Sequence, residues 1–337
     1  MSFFNMTHQF IDRRNGKVVT ETLSGDRMVD FMYSKLRESV PGLFNALTSA
    51  RMTRILGFLR YDGWFNNHHI DSRRVAGQLG INIDECLGPI KTMRQLFERK
   101  IRYWDVRSME EAPRQVVSPA DARILVGSLD DMALLPIKGK FFDYPELLGA
   151  PHHPEHKLFH GGDVAIFRLT PDKYHYNHVP VSGRVLNVYA VEGVFNACNP
   201  GAVVCAVTPF SKNRRVVTII DTDMPHGTMV GRVAMVEVVA MMIGDIHQCY
   251  SRYLYDDPQD IKVGMWLEKG CPKSLYRPGS STTILLFEKN RVQFTKDILT
   301  NLYRCDVKSR FSAGFGRPLV ETDVRVCSEI AEAKQAV

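Results

Sequence analysis

This 337-residue chain is short of several things that usually signal a protein's class. It has seven cysteines (Cys86, Cys198, Cys205, Cys249, Cys271, Cys305 and Cys327), scattered and odd in number, with no CxxC pair. That pattern excludes a disulfide framework and a cysteine zinc motif, and points to reduced thiols in a cytosolic compartment. No secretory signal is expected, because Phe3-Phe4 is followed by polar residues. The longest strongly apolar run, VAMVEVVAMMIG at 233–244, is interrupted by Glu237 and is too short to span a bilayer. Adsorption on a membrane surface stays open. A Walker loop and a GxGxxG after a strand are both absent, so nucleotide binding has no support. Charge of one sign is also scarce. Lys and Arg number 43 against 37 Asp and Glu, a net +6. This mild basicity suits an anionic surface or substrate and falls short of a nucleic-acid footprint. The chain shows no internal repeat and no low-complexity segment.

The hydrophobic pattern divides what is present. Residues 1–25 read as a polar, strand-poor lead-in. From Asp26 to about Arg60, apolar residues recur at helical spacing (Met28, Phe31, Met32, Leu36, then Leu43, Phe44, Leu47, then Ile55, Phe58, Leu59), broken at Pro41-Gly42. A second helical stretch covers 71–101, broken at Gly88-Pro89. Arg51, Arg54, Arg60, Arg73, Arg74, Lys91, Arg94, Arg99, Lys100 and Arg102 decorate these segments, as on a helix that sits on anionic lipid or on any solvated basic face. Beyond residue 115 the texture changes. Short Val/Ile-rich runs (RILVG, DVAIFRLT, GRVLNVYAV, RRVVTIID, GRVAMVEVVAMMIG, TTILLFEKNRVQF) alternate with Gly, Pro and Asn turns. The expected fold is α+β: a helical region over 1–115, with a membrane-associating role open to it, packed on a mainly antiparallel β core of two sheets over 116–337.

Three motifs carry groups with chemistry in them. SPAD at 118–121 puts a carboxylate in a turn entering a strand. PDKYHYNHVP at 171–180 carries His175 and His178. PGSST at 278–282 places two serines after a Pro-Gly turn. Asp, His and Ser in that order form a nucleophile–base–orienter set if the loops converge. Each motif also has an ordinary reading: an Asx turn, structural histidines, a loop serine. A competing cluster, PHHPEHKLFH, offers His152, His153, Glu155, His156 and His160 for a zinc hydrolase, or simply a solvated His-rich loop. It lacks HExxH order, and no metal site is expected. His68-His69 has no sequence partner.

Taken together, these motifs resemble the phosphatidylserine decarboxylase family of pyruvoyl-dependent, self-cleaving proenzymes. The resemblance runs over nearly the whole chain: LFERKIR (96–102), SPADARI (118–124), KGKFFDYPELLG (138–149), FRLTPDKYHYNHVPVSG (167–183), NPGAV, KNRRVV and KGCPKSLYRPGSST (269–282). The helical N-terminus is similar only loosely. The last register puts the family's reactive serine on Ser281 and its preceding glycine on Ser280. The resemblance implies that the Ser281 hydroxyl attacks the Ser280 carbonyl, with His178 as base and Asp121 holding the imidazole. Cleavage would yield residues 1–280 and 281–337, with Ser281 converted to a pyruvoyl group. That group would form a Schiff base with the substrate amine and accept the electrons released as CO2 leaves. His175 would be the acid that protonates the product carbon. The implied reaction converts phosphatidylserine to phosphatidylethanolamine. The implied setting is peripheral, on an anionic leaflet at the cytoplasmic side of the cell membrane, with the enzyme a homodimer and no nucleic acid involved.

The sequence departs from the family pattern at Ala122, Lys173, Tyr176, Val239, Ser274, Pro278 and Ser280. Ser280 in place of glycine narrows the backbone geometry open to the attack. The changes beside His175 bear on the substrate pocket. Two alternatives follow. One is a soluble cytoplasmic decarboxylase of a free amino acid. The other is an unprocessed lipid-binding relative that releases no CO2.

Overall fold

The computed structural model describes residues 3–23, 26–49, 69–109, 111–129, 143–205, 209–240, 245–277 and 281–334. Ser280, His68 and the basic residues Arg51, Arg54 and Arg60 lie outside these. The architecture is α+β with largely antiparallel sheets. Among the described residues there are three sheets, where the sequence suggested two. The largest has ten strands in the order Trp266–Leu267, Gly183–Val191, Arg215–Asp221, Arg232–Val239, Ser281–Phe287, Asp163–Leu169, Ala122–Ser128, Thr322–Val324, Gln9–Asp12 and Lys17–Thr20. A three-stranded sheet joins Ile246–Gln248, Pro272–Tyr276 and Tyr176–His178. Another joins Val292–Phe294, Glu329–Ala333 and Gln115–Val117.

The Val/Ile-rich runs form strands as expected, but the central ones are buried on both faces. Arg232–Val239 is enclosed along its length apart from Arg232, and Ser281–Phe287 is enclosed throughout. The apparent alternation around Glu237 therefore does not mark a solvated face. Glu237 lies inside, and its charge is met by Lys273 (2.8 Å). The main apolar core runs through these strands, with Val236, Ile284, Leu286, Ile166 and Phe167 among its members.

The lead-in is a correction. Residues 1–25 carry two strands, and Gln9–Asp12 pairs in parallel with Thr322–Val324. A buried ionic knot explains the attachment. The Arg168 guanidinium reaches Glu321 (2.6 Å) and Glu21 (2.7 Å), His8 meets Glu321 (2.8 Å), and Arg123 bonds to Glu21. Such a pair stripped of one partner costs about 3–5 kcal/mol, so the N-terminal strands are locked into the sheet. His8, Glu21 and Glu321 are the one group among the described residues close enough to share a cation, but two arginines already supply its countercharge.

Helical spacing after Asp26 is realised as Asp26–Asp30, a wider π turn over Phe31–Leu36, Arg37–Ser39 and Pro41–Leu47. Proline takes the first turn of the last helix, where its missing N–H costs nothing. Val29, Met32, Tyr33, Leu36 and Phe44 pack on Phe4, Ala197 and Ala202. Residues 71–101 are less helical than their pattern suggested. They form Ser72–Leu79 and Met93–Phe97, linked by a 3-10 turn at Ile83–Glu85. Asp71 caps the first helix, and Thr92 with Gln95 closes a capping box on the second.

Candidate active site

Sheet register brings the motif-bearing strand ends together. Ser281 opens its strand opposite Leu169 on one side and Val239 on the other. Arg123 stands opposite Arg168 in the next pair, so the SPAD turn and the segment after Leu169 reach the same end of the sheet. Side chains alternate along a strand, so Ser281 shares a face with Thr283. The Thr283 hydroxyl donates to the Asn177 Oδ1 (2.8 Å). Ser281 therefore points to the side of the sheet that carries Tyr176–His178. Its Oγ is buried and has no hydrogen-bond partner among the described residues. A hydroxyl left so costs about 1–3 kcal/mol, which folding alone gives no reason to retain.

His178 is held at three points. Its N–H donates to the Pro119 carbonyl (2.7 Å). Its Nδ1 lies 2.7 Å from the Gly270 carbonyl, and its Nε2 lies 3.0 Å from the Tyr174 hydroxyl. A carbonyl can only accept, so Nδ1 carries the proton and Nε2 presents a lone pair. Tyr174 also lies 2.6 Å from the Tyr255 hydroxyl, which lies 2.9 Å from the Ile101 carbonyl. A neutral ring and two hydroxyls carry three protons for these four contacts, so three of them are hydrogen bonds at any one time. Burial pushes the pKa of His178 down to about 4, so the ring is neutral at pH 7. Gly270 stands at φ +82°, and a Cβ there would meet the Met109 sulfur at 2.6 Å. Glycine is needed for that carbonyl to reach the ring.

His175 differs. It is fully buried, and neither ring nitrogen has a hydrogen-bond partner among the described residues. The ring stacks on Phe97, with centroids 3.6 Å apart. Burial, then the charge of Arg99, lowers its pKa to about 3, against weak opposing pulls from the Lys173 backbone and Asp121. A buried hydroxyl and a buried imidazole, both without partners, mark this end of the sheet as built for something other than stability.

Asp121 does not touch His178. Its carboxylate takes a forked pair of bonds from Arg107 (3.0 and 2.7 Å) and the Val326 N–H (2.8 Å). The Arg107 guanidinium outweighs burial and keeps Asp121 below the usual carboxylate range. The expected Asp121–His178–Ser281 relay is thus not closed by hydrogen bonds. The Gly270 carbonyl sets the His178 tautomer, and Asp121 acts on the ring through its charge. Arg107, Tyr255 and Gly270 in this role were not foreseen. Tyr174, four residues before His178, was the readable signal.

The His-rich loop does not converge. His153 stacks on Tyr189, the His156 ring bonds to the His153 carbonyl, His160 pairs with the Tyr144 hydroxyl, and Glu155 accepts from Asn187.

Fold and site together define an α+β protein with an unpartnered buried serine at the head of an internal strand, and two buried histidines in the segment that packs on the same side of the sheet. Comparison with known proteins agrees. The phosphatidylserine decarboxylase family model matches residues 93–311. A phosphatidylserine decarboxylase proenzyme 2 of Oryza sativa subsp. japonica is 33% identical over 66% of this chain, which spans only 34% of that longer protein. Phosphatidylserine decarboxylase proenzymes of Chlamydia trachomatis and Clostridium tetani are 28% and 25% identical. Each match covers 86% of this chain, and 90% and 91% of the relative. The chain belongs to the phosphatidylserine decarboxylase family.

Proposed function

We propose that this chain is a self-processing carboxy-lyase that converts phosphatidylserine to phosphatidylethanolamine and CO2, and that Ser281 is its reactive residue. The observation that carries the reading is the buried, unpartnered Ser281 hydroxyl at a strand end, on the side of the sheet that carries Tyr176–His178. In processing, the Ser281 oxygen attacks the Ser280 carbonyl, and the peptide bond gives way to an ester. His178 Nε2 is the basic nitrogen for the hydroxyl proton once Tyr174 yields its place. Elimination across Cα–Cβ of residue 281 releases the Ser280 carboxylate, and water then hydrolyses the resulting enamine, releasing ammonia and leaving a pyruvoyl group. The site fits such a group, because the Ser281 oxygen is buried and holds no hydrogen bond among the described residues that the conversion would break.

A pyruvoyl group supplies a carbonyl electron sink for decarboxylation. The remaining steps fall to this chain's side chains. His175 carries a proton on one ring nitrogen, with only the Lys173 backbone acting on it as an acceptor among the described residues, so that proton is a candidate for delivery to the product carbon. An arriving carboxylate would raise the His175 pKa by opposing its desolvation. The apolar wall of Phe97 and the sheet behind Ser281 exclude water.

A lipid substrate is favoured over a free amino acid by the N-terminal helices. Met28, Phe31, Val40 and Leu43 leave large apolar side chains in solvent there. No helix among the described residues is long and apolar enough to cross a membrane. These residues suit peripheral docking on a membrane surface, and the net charge of +6 favours an anionic leaflet.

Intact mass under denaturing conditions tests the reading. Two chains, 1–280 and 281–337 with a pyruvoyl start, are expected, together with labelled CO2 release from phosphatidylserine vesicles. Ser281→Ala should stay whole and inactive. His178→Ala should block cleavage, whereas His175→Ala should cleave and fail to decarboxylate. The reverse pattern would exchange the two roles. One uncut mass and no CO2 from the parent chain would leave the non-catalytic lipid-binding reading.

A further inference from the structure

A cavity of about 310 Å3 lies between residues 80–107 and the SPAD end of the β core. Ser281 and His175 do not line it. Its walls carry both signs of charge, and most of these charges are already matched. Arg107 is bonded to Asp121 (2.7 Å) and Glu85 (2.9 Å). Lys173 is bonded to Asp323 (2.5 Å), and Arg14 to Asp12 (2.6 Å). Two lining guanidinium groups, Arg99 and Arg325, have no carboxylate within ion-pair distance among the described residues.

Arg99 is the unusual one. It is 6% exposed, and it donates to two main-chain carbonyls, Leu96 (2.9 Å) and Asp172 (2.7 Å). Neither carries charge, and a guanidinium has five N–H donors in a fixed fork. A buried cation without countercharge is expensive unless something supplies the anion. Burial lowers the Arg99 pKa, as expected of a charge awaiting compensation.

We propose that this cavity binds a small phosphate-bearing oxyanion, a phosphate ester or free phosphate, with Arg99 as its deep ligand and Arg325 as its outer one. The lining carboxylates Asp121, Glu85 and Asp323 already sit on cations, and Asp172, 4.0 Å from Lys173, is the one that most opposes an arriving anion. A planar fork matches two phosphate oxygens, and the enclosed setting strengthens each bond. Phe97, two residues before Arg99, stacks on His175, and neither residue lines the cavity. The proposal does not require the decarboxylase reading. Only its lipid-head-group form rests on it.

The test is titration of the 337-residue Ser281→Ala chain, so that neither processing nor turnover enters. Inorganic phosphate and glycerophosphoserine are added at fixed ionic strength, and binding is read by calorimetry and melting temperature. Saturable binding is expected, weakened about tenfold in R325Q and abolished in R99Q, with R252Q as a remote surface control. Arg325 makes no side-chain bond among the described residues, so R325Q decides the matter if R99Q does not fold. Tighter binding of glycerophosphoserine assigns the site to a lipid head group. Equal or weaker binding assigns it to free phosphate. No saturable binding, or the same response in parent, R325Q and R252Q, would overturn the proposal.

Discussion

The buried Lys273–Glu237 pair gives the sharpest energetic test. Both side chains are fully enclosed, with Nζ 2.8 Å from Oε2. Gln248 bonds to both partners at 2.9 Å. Ser274 donates to the other Glu237 oxygen, Asn177 donates to Ser274 (3.2 Å), and Thr283 donates to Asn177 (2.8 Å). The chain of bonds thus runs from an ion pair to the residue two positions after Ser281. Lys273→Met leaves a bare buried carboxylate, and Glu237→Gln leaves a bare buried ammonium. Each should cost about 3–5 kcal/mol. The double variant buries no charge and keeps the amide's bonds to Ser274 and Gln248, so it should lie within about 1–2 kcal/mol of the parent. The coupling energy is then about 3 kcal/mol or more, large against a total stability of about 5–15 kcal/mol. Urea unfolding in a Ser281→Ala background measures it without interference from cleavage. Restored to Ser281, the single variants should also process slowly, and the double variant at close to the parent rate. Additive single costs, or single costs below about 1 kcal/mol, would show that the pair is solvated and the reasoning wrong.

Three further outcomes are expected. The Tyr276 hydroxyl bridges the Thr282 carbonyl (2.9 Å) and the Thr283 hydroxyl (3.0 Å), tying the strand before the serines to the strand after them. Tyr276→Phe should cost about 1–3 kcal/mol and slow cleavage, and an unchanged urea midpoint would contradict this. Stability should also depend on pH through the histidines. His175 and His178, ordinarily near 6.5, are held at about 3 and about 4 by burial, so the unfolded chain takes up protons that the folded chain refuses. This contribution is complete above pH 6.5 and is lost as pH falls, at about 1.4 kcal/mol per pH unit for each ring. Between pH 6.5 and 5, His175→Phe should flatten the slope by about that amount, and an unaltered slope would refute the burial. Finally, Gly270→Ala forces a Cβ toward Met109 at φ +82° and displaces the carbonyl that holds His178. It should cost at least about 1 kcal/mol and slow cleavage more than it lowers the melting temperature, whereas a loss of stability alone would limit Gly270 to a packing role.

Local patterns carried much of this structure into the sequence. The Val/Ile runs became strands, and Thr92 with Gln95 closed the capping box that such residues favour. What stayed hidden depends on distant partners. QFID and KVVT are too short and polar to announce strands, and they pair because Arg168, far along the chain, draws in Glu21. Glu237 broke an apolar run and read as an interruption, and its answering cation, Lys273, sits alone within the strand Pro272–Tyr276. At the site, Ser281, His175, His178 and Asp121 were legible as residue types in motifs. The bonding was not: nothing local says that Arg107 takes Asp121, or that a glycine carbonyl takes His178. Those choices are made by packing between segments that periodicity treats as separate.

The register gives the proposed self-cleavage at 280–281 an asymmetric consequence. Residue 281 begins a strand laddered on both sides by 163–169 and 232–239, which belong to the other fragment. The short fragment is fastened again where Thr322–Val324 pairs with Ala122–Ser128, and where Glu329–Ala333 pairs with Gln115–Val117. Breaking one peptide bond removes none of these ladders. On the other side of the bond the nearest described tether is Arg277, whose N–H donates to the Asp245 carbonyl (3.0 Å). The new amino end is therefore held by the sheet on both sides. On the proposed reading, an electrophile generated at residue 281 would inherit a position set by two strands. A strand's first residue suits such a group. Within the strand its neighbours could not part, and in a loop nothing would hold it still.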